Sequence, residues 1–201
     1  MSGGVPDGRS PDAGGPPNGL DADLARRVRL VIFDVDGVLT DGGIYVGGLP
    51  GGEGLELKRF DIQDGLGVKM LMWAGLEVAF VSGRVSEATA IRAAELGVEE
   101  CHQEPDARKM PAVEDLLERK GVGWAEVAML ADDLPDLSVF HRVGLPAAVA
   151  NAQPEIAERA AWRSRAPGGR GAVREFARAL LVARGVWDDV VRRYVDERTP
   201  G

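Results

Sequence analysis

Two carboxylates separated by one residue follow the first strongly apolar segment of the chain. Leu30–Phe33 is a continuous apolar run, and Asp34 and Asp36 come directly after it. Carboxylate oxygens at this spacing can converge on one hard cation, because the first turn after a strand breaks the alternation of side-chain directions. The pair therefore predicts a divalent metal site at the end of a strand.

A second acidic cluster stands at the end of another apolar run. Asp132 and Asp133 follow Val127–Ala131, and carboxylates there can complete an oxygen-only Mg²⁺ site in which waters and a substrate phosphate fill the remaining positions. Lys109 lies between the two acidic clusters in sequence and can balance part of their charge. Asp-Gly and Asp-Asp are also common loop formers that cap helices and bind nothing, but their order and spacing favour a functional site.

The elements that must position these groups alternate between strand and helix. Such alternation is typical of a parallel α/β sheet, whose ligands bind at the carboxyl ends of the strands. Leu30–Phe33 is the expected central strand, and residues 44–60 have the pattern of a β-hairpin with a glycine-rich loop. The other expected elements are helix 68–74, strand 77–81, helix 86–96, a short strand near Cys101, a helix from about 106 to 120, strand 127–131 and a helix through residues 137 and 140.

Composition limits the class of protein. The 201 residues have a net charge of −8, which disfavours nucleic-acid binding, and the only cysteine, Cys101, cannot form an intrachain disulfide. No apolar run reaches the roughly 18 residues of a membrane span, and residues 1–19 lack the apolar segment of a signal peptide. We expect a cytoplasmic protein with a disordered Gly/Pro-rich tail at 1–23, one domain at 24–184 and a helical C-terminal tail at 185–201.

Five segments together resemble a known family. They are DVDGVLTDG at 34–42, FDIQDGLG at 60–67, SGR at 82–84, ADDLPDL at 131–137 and GGRGAVRE at 168–175. Over roughly residues 29–180 the chain resembles the haloacid dehalogenase superfamily and, within it, the capless 3-deoxy-D-manno-octulosonate 8-phosphate phosphatase family. The resemblance implies a doubly wound, Rossmann-like parallel sheet with a β-hairpin insertion after the first strand and no cap domain.

The resemblance also implies an activity. It is that of an Mg²⁺-dependent phosphatase of lipopolysaccharide biosynthesis, acting as a homotetramer on a 2-keto-3-deoxy sugar-acid phosphate, with neither nucleic acid nor membrane as partner. Two alternatives remain open: a phosphatase for a nonulosonate 9-phosphate, and a non-catalytic oligomerisation module associated with a cytidylyltransferase. A cationic residue at Arg84 favours the octulosonate branch.

Roles for the catalytic groups follow from the resemblance. Asp34 is the expected nucleophile and Asp36 the expected general acid and base, which divides one hydrolysis into two displacements. Mg²⁺ is expected on the carboxylates of Asp34 and Asp132 and on the backbone carbonyl of Asp36. Ser82 and Lys109 are expected to hold the phosphoryl oxygens.

Supporting and substrate-binding groups complete this set. Asp133 and Asp136 are expected around the metal waters or the lysine. Gly83, Arg84 and Arg170 stand among small residues where a substrate carboxylate can approach, and they are expected to bind substrate.

Overall fold

A computed structural model describes residues 19–49, 51 and 54–199. The strands are β1 Leu30–Phe33, β2 Tyr45–Gly48, β3 Gly54–Leu57, β4 Glu77–Ser82, β5 Glu100–Gln103, β6 Val127–Ala131, β7 Leu145–Ala148 and β8 Trp162–Arg163. The helices are α1 Ala22–Arg27, α2 Ile62–Trp73, α3 Glu87–Leu96, α4 Lys109–Lys120, α5 Leu137–Phe140, α6 Pro154–Ala157, α7 Ala172–Ala183 and α8 Trp187–Asp196. Most of the predicted N-terminal tail, residues 1–18, lies outside the described residues.

The main sheet has six strands in the order β5-β4-β1-β6-β7-β8. Each pair of neighbouring strands is parallel. All four residues of β1 are buried, as expected for a central strand that is covered on both faces. The predicted doubly wound parallel sheet is confirmed, and β1 lies between β4 and β6.

Two separate cores cover the two faces of this sheet. Val31 and Phe33 belong to one core, where Phe176 of α7 contacts Phe33 edge-on at 6.3 Å. Leu30 and Ile32, which point the other way, belong to the second core with α4 and α5. Burial of apolar side chains on both faces fixes β1 firmly, so the residue that follows it, Asp34, has a well-defined position.

The hairpin predicted after the first strand is present. β2 and β3 pair antiparallel as a separate two-stranded sheet, and an isolated bridge between Thr40 and Phe60 closes its base. Residues 50, 52 and 53 of the predicted loop lie outside the described residues. Among those that are described, no further domain intervenes between β1 and α2, which agrees with the predicted absence of a cap.

Several element boundaries differ from the predictions. α2 begins at Ile62 rather than at residue 68, because the Asp61 carboxylate accepts a hydrogen bond from the Gln63 amide and caps the helix there. α4 begins at Lys109 rather than near residue 106, because Ala107 has a φ of 56° and interrupts helical geometry. α1 begins at Ala22, two residues before the predicted start of the domain at residue 24.

No helix in the described part of the chain is long and apolar enough to span a membrane.

Candidate active site

The carboxyl ends of the strands surround a cavity of about 180 Å³. Asp34 follows β1, Gly83 and Arg84 follow β4, and Asp132 follows β6, as the topology rule for parallel sheets requires. The residues that line the cavity are Asp34, Asp36, Gly83, Arg84, Ala107, Lys109, Asp132, Asp133, Pro135 and Asp136. Three strand ends that are far apart in sequence therefore meet at one place.

A buried lysine lies between two of the carboxylates. Lys109 is 2% exposed, and its Nζ donates hydrogen bonds to Asp34 Oδ1 and, at 2.6 Å, to Asp136 Oδ1. Burial acts to lower the pKa of Lys109, but the two adjacent carboxylates outweigh it and raise that pKa above its ordinary value. Lys109 is therefore a fixed positive charge beside Asp34.

The same carboxylates can hold a metal ion. Asp34, Asp132 and Asp136 each offer an oxygen atom, and these oxygens lie within 4.8 Å of one another. When all three are ionised, Lys109 compensates one of their charges and leaves two negative charges, which matches a divalent cation. A donor set made only of oxygen atoms suits Mg²⁺, and the group thus fits that ion.

The pKa values of Asp132 and Asp136 are raised where these carboxylates lie close together. Burial, followed by the charge of Asp34, raises the pKa of Asp132 to about 8 from an ordinary value of 3.8. Burial and the charge of Asp34 likewise raise the pKa of Asp136, although Lys109 acts in the opposite direction. Without a metal ion, the folded protein therefore binds more protons than the unfolded chain between about pH 4 and pH 8.

We expect the metal-free protein to lose stability as the pH rises through this window. The contribution of Asp132 is fully present below about pH 4, where the group is protonated in both states, and is lost as the pH approaches 8. The free energy of unfolding by urea in EDTA should fall between pH 5 and pH 8, and the fall should be shallower in Asp132→Asn, which cannot ionise. Equal slopes in the two proteins would contradict this assignment.

Asp36 is turned toward a different partner. Its two carboxylate oxygens lie 2.8 and 2.9 Å from Nζ of Lys58, whose side chain has no exposed surface. The Asp36 side chain itself is 22% exposed and lines the cavity. Asp36 can therefore contact a substrate in the cavity while Lys58 holds its carboxylate on the opposite side. The sequence alone predicts no role for Lys58.

The turn that carries Asp36 depends on glycine. Gly37 has a φ of 97°, and a Cβ at this position would overlap the Asp132 carboxylate. On the other side of the turn, Gly168 lies so close to the Gly37 carbonyl that a Cβ there would overlap it, and the Gly169 amide donates to the Val38 carbonyl at 2.8 Å. The GGRG segment thus packs against the turn that bears the acid–base candidate.

Buried Asp64 anchors that segment from below. Its carboxylate accepts hydrogen bonds from the amides of Gly171 at 3.1 Å and Arg174 at 2.8 Å, at the start of α7. Gly67 of α2 approaches the Arg174 backbone so closely that a Cβ there would lie 2.9 Å from it. The segments 60–67 and 168–175, which are far apart in the sequence, therefore pack against each other in the fold.

The residues after β4 supply a hydroxyl and a guanidinium. Ser82 is buried and its Oγ accepts a hydrogen bond from the Arg84 amide at 3.1 Å, and it lies beside the cavity lining rather than in it. The Arg84 guanidinium reaches Glu56 of the hairpin at 2.6 Å and lines the cavity. A guanidinium has five N–H donors, so the contact with Glu56 leaves donors for a second carboxylate.

Arg170 and Asp133 lie differently from the groups above. Arg170 is 57% exposed in its side chain, is ion-paired with Asp41 at 3.4 Å and does not line the cavity. Asp133 is exposed, and its carboxylate accepts from the Leu134 amide, so it caps the turn that brings Asp136 inward. Asp133 and Asp136 are the two carboxylates predicted to support the metal waters or the lysine, and of these Asp136 contacts Lys109.

Comparison with known proteins places this geometry in a family. The 3-deoxy-D-manno-octulosonate 8-phosphate phosphatase KdsC of Escherichia coli (strain K12) is 42% identical over 165 residues, which cover 82% of this chain and 85% of that protein. The chain belongs to this phosphatase family. The model of the haloacid dehalogenase-like hydrolases also matches residues 103–167, the segment that carries Lys109 and the second acidic cluster.

Solved structures of this phosphatase family share the fold. The enzyme from Yersinia pestis has a TM-score of 0.77 at 38% identity, covering 83% of this chain and 88% of that one. The enzyme from Moraxella catarrhalis, in complex with a magnesium ion, a phosphate ion and a KDO molecule, has a TM-score of 0.80 at 32% identity, covering 86% of this chain and 97% of that one. The resemblance to the family inferred from the five segments is confirmed.

Proposed function

We propose that the chain is a cytoplasmic, Mg²⁺-dependent phosphatase that hydrolyses 3-deoxy-D-manno-octulosonate 8-phosphate through an aspartyl-phosphate intermediate. The observation that carries the proposal is the group of Asp34, Asp132 and Asp136 around Lys109, which faces one cavity at the end of β1. The names of the family members supply the substrate, and a family structure with magnesium, phosphate and the sugar acid supports it.

In the first displacement, a carboxylate oxygen of Asp34 attacks the phosphorus atom. The bond between phosphorus and the sugar oxygen breaks, and Asp36 donates a proton to that oxygen as it leaves. The products of this step are the free sugar acid and phosphorylated Asp34. Both carboxyls line the same cavity, so one bound phosphate can face the two of them.

The second displacement restores the enzyme. Asp36, now ionised, accepts a proton from a water molecule as the water oxygen attacks phosphorus. The bond between phosphorus and Asp34 breaks, and inorganic phosphate leaves. Each carboxyl returns to its starting protonation state.

Groups around Asp34 can lower the activation free energy of phosphoryl transfer by compensating negative charge. Lys109, beside Asp34 in the cavity lining, is suited to hold phosphoryl oxygens, since phosphoryl transfer depends chiefly on positioning and charge neutralisation. We propose the same role for the Ser82 hydroxyl, which lies beside the lining. Mg²⁺ would be held by Asp34, Asp132 and the Asp36 carbonyl, with Asp136 beside them, and would neutralise developing charge on the phosphoryl group.

Arg84 is the group best placed to meet the carboxylate of the sugar acid. Its guanidinium lines the cavity and its side chain is half exposed, so one edge remains open to solvent while the other meets Glu56. A cation here suits an anionic 2-keto-3-deoxy sugar acid. The nonulosonate phosphatase and the non-catalytic module are not favoured by the relatives that the chain resembles.

Replacement of the metal-binding carboxylate tests the activity. We expect wild-type protein to hydrolyse p-nitrophenyl phosphate with Mg²⁺ and not with EDTA, and Asp132→Ala to weaken Mg²⁺ binding at least tenfold, because loss of a carboxylate ligand typically costs this much or more. Titration calorimetry with Mg²⁺, alongside initial rates, measures both effects. Unchanged metal dependence in Asp132→Ala would move the ligand to Asp133 or Asp136, and activity in EDTA would overturn the metal-dependent mechanism.

We further propose that the active form is a homotetramer in which hairpins of neighbouring subunits cover the cavities. The hairpin has little core of its own: Val46 is 82% exposed, and Tyr45, Leu49, Leu55 and Leu57 are exposed as well. Tyr45, Leu55 and Leu57 share one face of the hairpin, and exposed apolar side chains on one face favour pairing with symmetry mates. Covering the open cavity would exclude water and strengthen every electrostatic contact with the phosphoryl group.

Solution mass tests the assembly directly. We expect light scattering at assay concentration to give about four times the monomer mass, because the exposed hairpin face is buried between subunits. The double substitution Tyr45→Ser, Leu57→Ser, on one face of the hairpin, should dissociate the assembly without unfolding it, since both side chains are exposed in the single chain. A fully active wild-type monomer would overturn the proposal.

Arg170 of the GGRG segment does not line the cavity of its own chain, and we propose that it contacts the substrate carboxylate in addition to Arg84. We expect Arg170→Ala to reduce kcat/KM for the sugar-acid phosphate about tenfold or more, as for loss of one charge-assisted hydrogen bond, and to spare p-nitrophenyl phosphate, which has no carboxylate. Steady-state kinetics with both substrates measures this, and Arg165→Ala, on the preceding exposed loop, serves as a control. Equal losses on both substrates would rule out the carboxylate role.

A further inference from the structure

The end of the hairpin places one lysine behind the acid–base candidate. Lys58 follows β3 directly, and its Nζ lies 2.8 and 2.9 Å from the two carboxylate oxygens of Asp36. The Thr89 hydroxyl of α3 lies 3.4 Å from the same ammonium, and a Glu56 carboxylate oxygen lies 3.9 Å from it. The ammonium is thus enclosed by the hairpin, by α3 and by the turn that follows β1.

Complete burial of this lysine makes it more than an ordinary surface ion pair. A buried ammonium costs several kcal/mol in desolvation unless a well-oriented anion compensates it. Asp36 supplies that anion in its ionised form, which is the form that accepts a proton from water in the second displacement, and its carboxyl keeps a face toward the cavity. Contact of the ammonium with both carboxylate oxygens restricts rotation of the Asp36 side chain, so the face presented to the cavity is fixed.

Glu56 lies in β3 and Lys58 follows the strand directly, and both side chains contact residues of the cavity wall. Glu56 holds the Arg84 guanidinium at 2.6 Å, while Lys58 holds Asp36. The exposed side chains of Leu55 and Leu57 alternate with them. The inner face of the hairpin therefore contacts two residues of the cavity wall, one on each side.

We propose that Lys58 is a positioning residue for the phosphatase reaction: it holds the Asp36 carboxyl in the orientation that delivers a proton to the leaving oxygen. This inference rests on the proposed function and deepens it. A lysine that served only to attach the hairpin would change the rates with all phosphate esters alike. A lysine that orients the general acid changes chiefly the rates of esters whose leaving groups need protonation.

Lys58→Met tests the distinction, because methionine keeps most of the length and volume of the side chain without the charge. With alkyl phosphates, including the sugar-acid phosphate, we expect kcat to fall about 100-fold, within the range of general-acid contributions, and KM to change less than about threefold. With p-nitrophenyl phosphate, whose leaving group is already acidic, we expect a loss of less than about fivefold. Equal losses on both classes of ester would overturn the inference.

A double-mutant cycle with Asp36→Asn supplies the second readout. If Lys58 acts through Asp36, Asp36→Asn/Lys58→Met should hydrolyse alkyl phosphates no more slowly than Asp36→Asn alone, because the oriented group is already missing. Multiplied losses in the double variant would overturn the inference. Lys58→Arg keeps the positive charge on a differently shaped group, and it should hydrolyse alkyl phosphates at least tenfold faster than Lys58→Met.

Matched controls separate folding from positioning. Lys120 also contacts two carboxylates, those of Glu77 and Glu100, but lies away from the cavity, and Lys120→Met should leave the ratio of alkyl to aryl rates unchanged. Circular dichroism and urea unfolding check each variant, and if Lys58→Met does not fold, the same ratio is measured in Lys58→Gln, which also removes the charge but keeps a polar side chain. Wild-type protein that hydrolyses other alkyl phosphates but not the sugar-acid phosphate would overturn the substrate assignment alone, since the ratio that tests Lys58 is still measured.

Discussion

Asn in place of Asp34 should lower kcat by roughly three orders of magnitude or more while leaving the protein folded. The amide is nearly isosteric, but it lacks the anionic oxygen that attacks phosphorus, and loss of a covalent nucleophile typically costs this much. Initial rates with p-nitrophenyl phosphate and with the sugar-acid phosphate should fall together, because both esters use the same nucleophile.

Asp133→Asn provides the matched comparison for that result. Asp133 lines the same cavity, but it is exposed and its carboxylate caps a turn, so its replacement should cost less than about tenfold. Residual activity of Asp34→Asn above about 1% of wild type, in protein free of contaminating phosphatase, would contradict the assigned role, given the usual cost of losing a nucleophile.

Lys109→Met should have the largest effect on stability. The substitution removes the buried ammonium that lies between Asp34 and Asp136 and leaves their carboxylates facing each other and Asp132. Breaking a buried ion pair by removing one partner typically costs about 3–5 kcal/mol of the free energy of unfolding. Urea unfolding in EDTA measures this loss, and Mg²⁺ should restore part of it because the cation compensates the same carboxylates.

Lys120→Met is the control for the loss of stability expected in Lys109→Met. Lys120→Met removes contacts to Glu77 and Glu100 that are only partly exposed but lie near the protein surface, where solvent-screened pairs contribute about 1 kcal/mol or less. A loss in Lys109→Met no larger than that of Lys120→Met would show that Lys109 is not the counter-charge of the carboxylate group. Failure of Mg²⁺ to stabilise either protein would contradict the metal assignment.

The convergence of the strand ends could be predicted from the sequence because it depends on local signals. Apolar runs such as Leu30–Phe33 mark buried parallel strands, and the topology of parallel sheets brings their carboxyl ends to one edge. Asp34, Lys109 and Asp132 accordingly meet in the structure, and the fold is confirmed. The chemical roles of these residues stay predictions until the variants are measured.

Other features of the site depend on contacts between distant segments. Lys58 and Glu56 contact residues of the cavity wall because the hairpin packs against α3, and nothing in their local pattern specifies this packing. The alternation of charged and apolar residues at 55–58 was the one available signal that a charged face points inward. The φ of 56° at Ala107 likewise could not be predicted from the residue type, because alanine rarely adopts the left-handed region.

Relative values of kcat/KM across sugar-acid phosphates test the central proposal most directly, since they report discrimination in the transition state. The panel contains 3-deoxy-D-manno-octulosonate 8-phosphate, a nonulosonate 9-phosphate and p-nitrophenyl phosphate, each with Mg²⁺. The proposal predicts the highest value for 3-deoxy-D-manno-octulosonate 8-phosphate, by about tenfold or more over the nonulosonate, because the nine-carbon acid places its carboxylate at a different distance from the phosphate and loses one charge-assisted contact. A higher value for the nonulosonate 9-phosphate, or no hydrolysis of either sugar-acid phosphate, would contradict it.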